Sequence, residues 1–287
     1  MNFKRLTLAL ALAGLPSLSF ATQVLTTLPV THSLASALLD GTAVQLKRAA
    51  PANLPASRQP SYFSGRGGAS LEKAAQQADA VIGVRSIWRD DPLYPMARRS
   101  NIRIVEIDAA RPVDGALPGI AVTGDDAYGA YPWLNPTNLG RMADVVANDL
   151  ERLTPGDKAK IQGNLAGLKR QLLELSASSQ TRLAKVDNLT VVSLSERLGY
   201  LASGLNLDVV EQPLPDAWDA AALKALGENL KAQDVALVLD HRQPDAAVAD
   251  MIKAAGAKLV VVESDPEDAF AGLKASVDKV VGALGES

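Results

Sequence analysis

The chain has 287 residues, 47% of them hydrophobic and only 4% aromatic, and its 29 basic and 32 acidic side chains give a formal charge of −3. A balance this close to neutral carries no global basic footprint for nucleic acid. The absence of cysteine excludes disulfides, zinc–thiolate sites, thiol nucleophiles and an acylated-cysteine anchor. The hydrophobic content suits an Ala/Leu/Val-rich α/β protein, long enough for two core-bearing lobes.

The first residues read as a secretion signal. Lys4 and Arg5 open it, Leu6 to Leu15 form an apolar stretch, Pro16 breaks that stretch, and Ser19-Phe20-Ala21 fits a small-x-small cleavage site. Cleavage after Ala21 is expected, with Thr22 as the mature start. The apolar stretch is shorter than the roughly 18 residues that span a bilayer. Losing Lys4 and Arg5 takes the remainder to about −5. A soluble periplasmic protein of a Gram-negative cell follows, expected to be a monomer that binds no nucleic acid.

Apolar β-branched runs then alternate with helical patterns, the mark of parallel-sheet units. Strands are predicted at Gln23 to Leu28, Ala43 to Leu46, Ala80 to Val84 and Ile102 to Ile107, with helices at His32 to Leu39 and Ser70 to Gln77. Lys47 to Gly68, rich in Pro, Ser, Gly and Arg, reads as a long irregular stretch. In the middle, Leu139, Met142, Val145, Val146 and Leu150 carry a helical period. After Thr154-Pro155-Gly156-Asp157, the segment Lys158 to Leu183 keeps Ile161, Leu165, Leu168, Leu172, Leu173 and Leu175 in register. A helix of that length reaches about 40 Å, which suits a backbone running down the molecule better than a coiled-coil arm. The second half repeats the alternation, with strands at Leu189 to Leu194, Leu207 to Val210, Val235 to Leu239 and Leu259 to Val262. Its helices are predicted at Ala217 to Leu230, Asp245 to Ala255 and Glu267 to Leu284. The division is therefore 22–137 for an N-terminal α/β lobe, 138–187 for a linking helical region and 188–287 for a C-terminal α/β lobe.

Three segments carry a family resemblance. Tyr131-Pro132-Trp133-Leu134-Asn135-Pro136-Thr137-Asn138, with Asn135 placed as a helix N-cap, resembles the opening of the linking helix in the cluster A-I periplasmic receptors of zinc and manganese ABC transporters. Ala78-Asp79-Ala80-Val81-Ile82 looks like the family's passage from first-lobe helix to strand, and Leu198-Gly199-Tyr200-Leu201-Ala202 is similar to an element of its second lobe. The resemblance implies two Rossmann-like lobes, each a parallel sheet flanked by helices, joined by one long backbone helix. It also implies a ligand held in the cleft between the lobes and handed to an inner-membrane ABC permease. Carried over residue by residue, the family's metal-ligand positions fall on Tyr62 or Phe63, on Tyr131, on Ser195 beside Glu196, and on Glu263 with Asp265 close behind. The usual histidines and the histidine-rich loop are missing; the chain has only His32 and His241, the latter beside Asp240.

Such a donor set changes the expected cargo. Zinc favours imidazole or thiolate, whereas tyrosine and carboxylate oxygens favour hard cations such as ferric iron. A phenolate binds only when the cation pulls its pKa down from about 10. Tyr62, Tyr131, Glu196 and Glu263 are thus candidate metal ligands, unless the tyrosines merely fill space and donate hydrogen bonds. His32 and His241, each at a strand end, are further candidates. The metal is iron, zinc or manganese, free or as a chelate. A chelate is favoured by Arg58, Tyr62, Phe63 and Arg66 in the long stretch, and by Arg85, Trp88 and Arg89 beyond the next strand. Arginine forks take carboxylates and aromatic faces stack on planar groups, and strand ends are where open α/β sheets place ligands. Arg66, Arg85, Trp88 and Arg89 are the candidate chelate contacts; the alternative is a solvated rim paired with Asp90, Asp91 and other acids. Enzyme motifs are lacking: Ser195 has no nucleophile elbow, and Gly65-Arg66-Gly67-Gly68 lacks the Gly-Lys-Ser/Thr ending of a phosphate loop. The rival to a transport receptor is a periplasmic metal chaperone or accessory protein that docks to a partner.

Overall fold

The computed structural model describes residues 21–112, 119–120 and 131–285; the secretion signal expected at residues 1–20 lies outside them. Among the described residues, two four-stranded sheets share one topology. β1 (Gln23–Thr26), β2 (Gln45–Arg48), β3 (Ala80–Gly83) and β4 (Val105–Asp108) stand in the order β2-β1-β3-β4. β5 (Thr190–Ser193), β6 (Asp208–Val210), β7 (Leu237–Asp240) and β8 (Lys258–Val261) repeat it as β6-β5-β7-β8. All pairings are parallel, with Val24 opposite Ala80 in the first sheet and Val191 opposite Leu237 in the second.

Parallel sheets are buried on both faces, and the period of two along each strand divides the side chains between them. In the first lobe Val24, Ile82 and Ile107 enter a central core, while Leu25 and Val81 turn to an outer layer with Phe63, Leu71, Leu93 and Ala97. In the second, Val191, Leu237 and Leu239 face the central core. Val192 and Val238 meet Leu226, Leu230, Val248 and Ile252 from α8 (Ala220–Ala232) and α9 (Ala246–Ala255). Gly256, at φ +92°, takes the left-handed turn that ends α9.

Two helices fill the space between the sheets. α5 (Pro136–Leu153) starts at Asn135, whose side chain accepts hydrogen bonds from the backbone N–H groups of Thr137 and Asn138, with Pro136 in the first turn. Leu139, Met142, Val146 and Leu150 bury its apolar face. α6 (Lys158–Leu183) keeps the boundaries predicted for it and buries Ile161, Leu168, Leu172, Leu175 and Leu183; Leu173, counted in the register, is instead 70% exposed. α6 packs on α1 (Pro29–Leu39) of the first lobe and α10 (Ala269–Gly285) of the second, so one core runs through both lobes.

Departures from the predicted elements are local. The stretch expected to be irregular folds α2 (Gln59–Ser64), anchored by buried Phe63, immediately before α3 (Gly68–Gln77). An unpredicted α4 (Leu93–Ser100) is held by Leu93 and Ala97, four residues apart on one face. The segment after Ser195 adds the short α7 (Gly199–Gly204).

Candidate functional site

The strand C-termini of both sheets feed one cluster. Trp88 follows β3, Tyr131 and Trp133 precede α5, Arg197 follows β5, His241 follows β7, and Ser264 and Asp265 follow β8. The three aromatic rings pack edge to face or tilted: Trp88 to Tyr131 at 5.5 Å, Trp88 to Trp133 at 5.2 Å, and Tyr131 to Trp133 at 4.9 Å between centroids. Trp133 Nε1 donates to the carbonyl of Ser264 at 3.0 Å, which ties the first lobe to the second. The Arg197 guanidinium lies over the Tyr131 ring, 5.0 Å from its centroid, and donates to Ser264 Oγ at 3.3 Å. A cation over an aromatic face is attractive, most strongly where water is excluded.

Burial sets the protonation of this cluster. It pushes the Tyr131 phenol well above the usual tyrosine range, and the neighbouring Asp265 carboxylate adds to this against the opposing charge of Arg197. Tyr131 is therefore a neutral phenol that hydrogen-bonds Asp265. Burial also raises Asp265 to about 6, with Arg197 and the Tyr131 hydrogen bond holding it down and Glu263 pushing it up. His241 is kept below its ordinary pKa by burial and then by Arg197; its Nδ1 lies 3.2 Å from Asp240 Oδ1. Buried Ser195 is fixed in the turn after β5, where its carbonyl accepts from Ser193 Oγ at 2.7 Å.

The structure brings Tyr131, Trp88 and Asp265 together, places Glu263 and His241 within electrostatic reach, and sets the other candidates elsewhere. Trp88 is 1% exposed, so its indole is a wall of the core and not an open stacking face. Tyr62 packs edge-on to Phe63 at 5.1 Å on the outer layer of the first lobe, with the Arg66 guanidinium 5.5 Å from its ring centroid; it does not share the core of Tyr131. Arg85 makes a two-pronged ion pair with Glu106 at 2.7 and 2.8 Å and reaches over Tyr94, so its fork is already filled. Arg89 and Glu196 are exposed on the turns after β3 and β5. Asp91, expected on a solvated rim, is buried and braces the same turn by accepting from the backbone N–H groups of Val84 and Leu93. Arg197 was not singled out from the sequence, although a cation two residues past a candidate ligand position was the available signal.

His32 belongs to a second junction of the lobes. Its Nδ1 is 3.0 Å from Thr26 Oγ1, and burial, then nearby Arg48, keeps it below its ordinary pKa. Arg48 pairs with Glu267 at 2.8 Å, and Ser33 Oγ accepts from the Ala269 N–H at 2.9 Å. A cavity of about 500 Å³ opens beside it, lined by His32, Ser33, Asn164, Gln171, Glu267 and Phe270 among others.

Among the described residues, no group of three or more His, Asp or Glu side chains is placed to hold a metal ion. A divalent ion seated about 6 Å from a guanidinium would meet roughly 5 kcal/mol of repulsion at an effective dielectric constant near 20. Arg197 therefore opposes a bare dication at this cluster, while Asp265 and, nearby, Glu263 attract one.

The family model for the periplasmic component A of the zinc-uptake complex, ZnuA, matches residues 69–273. No curated protein matches the chain in sequence. Among solved structures, a mutant of FpvC from Pseudomonas aeruginosa superposes with a TM-score of 0.73 at 21% identity, over 92% of this chain and 100% of that one. The Zn(II)-bound ZnuA-like domain of AdcA from Streptococcus pneumoniae gives 0.71 at 18% identity, over 93% and 100%. The SBP FpvC from Pseudomonas aeruginosa in complex with Mn2+ gives 0.69 at 21% identity, over 93% and 99%. At these identities the likeness establishes the two-lobed fold.

Proposed function

The chain belongs to the ZnuA family of periplasmic zinc-uptake components, and from that membership we propose that it is a transport receptor that takes up a metal, free or as a complex, between its lobes and delivers it to an inner-membrane ABC permease. The observation that carries this reading is the meeting of Trp88 and Tyr131 from one lobe with Arg197 and Asp265 from the other at the strand ends. A site shared by two lobes is one that a ligand completes and whose emptying a partner can sense. Zinc and manganese, bound in the solved structures of AdcA and FpvC, and iron, suited to an oxygen-rich set, are the candidate metals. The reading includes secretion with cleavage after Ala21, work as a monomer in the periplasm, and no chemistry on the cargo, which leaves as it arrived. Among the described residues no helix is long and apolar enough to cross a membrane.

Native mass spectrometry with elemental analysis of the protein isolated from its periplasm tests this. The expected result is a metal-containing adduct, either one ion or several hundred daltons of complex. Protein that stays metal-free from the cell, and after incubation with Zn2+, Mn2+ and ferric citrate, overturns the reading.

A further inference from the structure

The walls and the mouth of the cluster differ. Trp88, Tyr131 and Trp133 are buried, so a ligand arriving at the strand ends first meets half-buried Arg197 and Asp265 and exposed Glu263. Arg197 holds a fixed positive charge in the midst of oxygen donors that would otherwise suit a metal ion: the Tyr131 phenol, the Asp265 carboxylate and, nearby, Glu263. Its charge also reaches His241, the nearest imidazole. A guanidinium cannot be deprotonated to make way for a cation, and its planar fork of five donors matches a carboxylate. Of these donors, the one on Ser264 Oγ makes a long bond of 3.3 Å to a neutral hydroxyl, a contact that a carboxylate oxygen would outcompete.

We infer that Arg197 decides which form of cargo the site accepts: its guanidinium occupies the place of a bare ion and admits a metal only within an anionic, carboxylate-bearing complex. The inference rests on the receptor reading and narrows it. The bound complex leaves its metal at the centre of its own chelator, presents a carboxylate to Arg197, and asks the protein for charge and shape instead of ligand atoms.

Titration calorimetry with two probes, Zn2+ alone and ferric citrate, on the wild type, Arg197→Gln and Arg197→Lys, tests it. Arg197→Gln removes the charge and is expected to gain about tenfold or more in Zn2+ affinity and to lose about as much for ferric citrate, the scale of a charge-assisted hydrogen bond. Arg197→Lys keeps the charge without the fork, so it continues to reject Zn2+ while binding ferric citrate more weakly than the wild type. Circular dichroism establishes that each variant is folded; should the Gln variant not fold, the Lys variant still decides, because unchanged ferric citrate affinity there overturns the inference. Zn2+ binding to the wild type as tightly as to Arg197→Gln also overturns it and leaves the receptor reading standing. Binding of neither probe by any of the three proteins overturns the inference; the receptor reading falls with it only if the protein isolated from the cell is metal-free and Mn2+ is refused as well.

Discussion

The two lobes share a strand order but not a manner of ending their strands. Beyond β3 and ahead of α5, the first lobe supplies large buried rings, Trp88, Tyr131 and Trp133. At the end of β7 and beyond β5 and β8 the second supplies charge: Asp240 beside His241, Arg197, Glu263 and Asp265. The sheets behind them are interchangeable in topology, so the difference lies wholly in the loops. One lobe gives the site a shape and the other gives it a potential, which is how a single scaffold hosts unlike ligands.

The largest effect that tests this contrast is on the aromatic side. Trp88→Ala removes a fully buried indole touching two other rings, and should cost about 3–5 kcal/mol in denaturant unfolding, as large-to-small core changes do. A loss below about 1 kcal/mol would show that the ring is a replaceable lining and not a wall. A smaller effect belongs to the charged side and depends on pH. Burial raises Asp265 from the usual 3.8 to about 6, so the folded state binds more protons there than the unfolded state does. The contribution of this group is present below about pH 4 and is lost as pH rises through about 6, at most roughly 3 kcal/mol and less after solvent screening. His32 and His241, held below their ordinary pKa, act oppositely, and their stability is lost as pH falls. The comparison must therefore be between variants: Asp265→Asn should stabilise relative to wild type between pH 4.5 and pH 7.5. Parallel stability–pH curves would mean that Asp265 titrates as if in water. The smallest effect is expected at Arg85. Its pair with Glu106 leaves Arg85 44% exposed, so Arg85→Ala should cost under about 1 kcal/mol and leave ferric citrate affinity within twofold. A tenfold loss of affinity would return this arginine to the binding surface.

The sequence made the frame legible and the site only in part. β-branched runs such as Val191-Val192 and the unbroken register of α6 show through because both report burial on a fixed period. Strand limits moved by one to three residues, as in β4, where Ile102 is 76% exposed and the strand begins at Val105. α2 and α4 were illegible because each is a turn or two long, rich in Pro, Ser or Arg, and rests on few buried apolar anchors, Phe63 in one and Leu93 with Ala97 in the other. Trp88, amid Arg85, Arg89, Asp90 and Asp91, reads in sequence as a stacking face for a chelate; the folded turn, braced by Asp91, instead buries the indole. Tyr131 is singled out by its place in a motif, but its neighbours Arg197 and Asp265 stand 66 and 134 positions further along, a distance no local pattern spans.

α6 touches both lobes along its length, and its buried leucines belong to the same core as Val24 at one end of the chain and Leu284 at the other. Neither half then owns a complete interior, and the molecule behaves mechanically as a spar with two plates fixed to it. Swinging one plate would shear Leu172 and Leu175 against close-packed neighbours that resist compression. On the receptor reading, loading and unloading would then fall to the short turns at the strand ends, where a few side chains can rotate while the spar stays still.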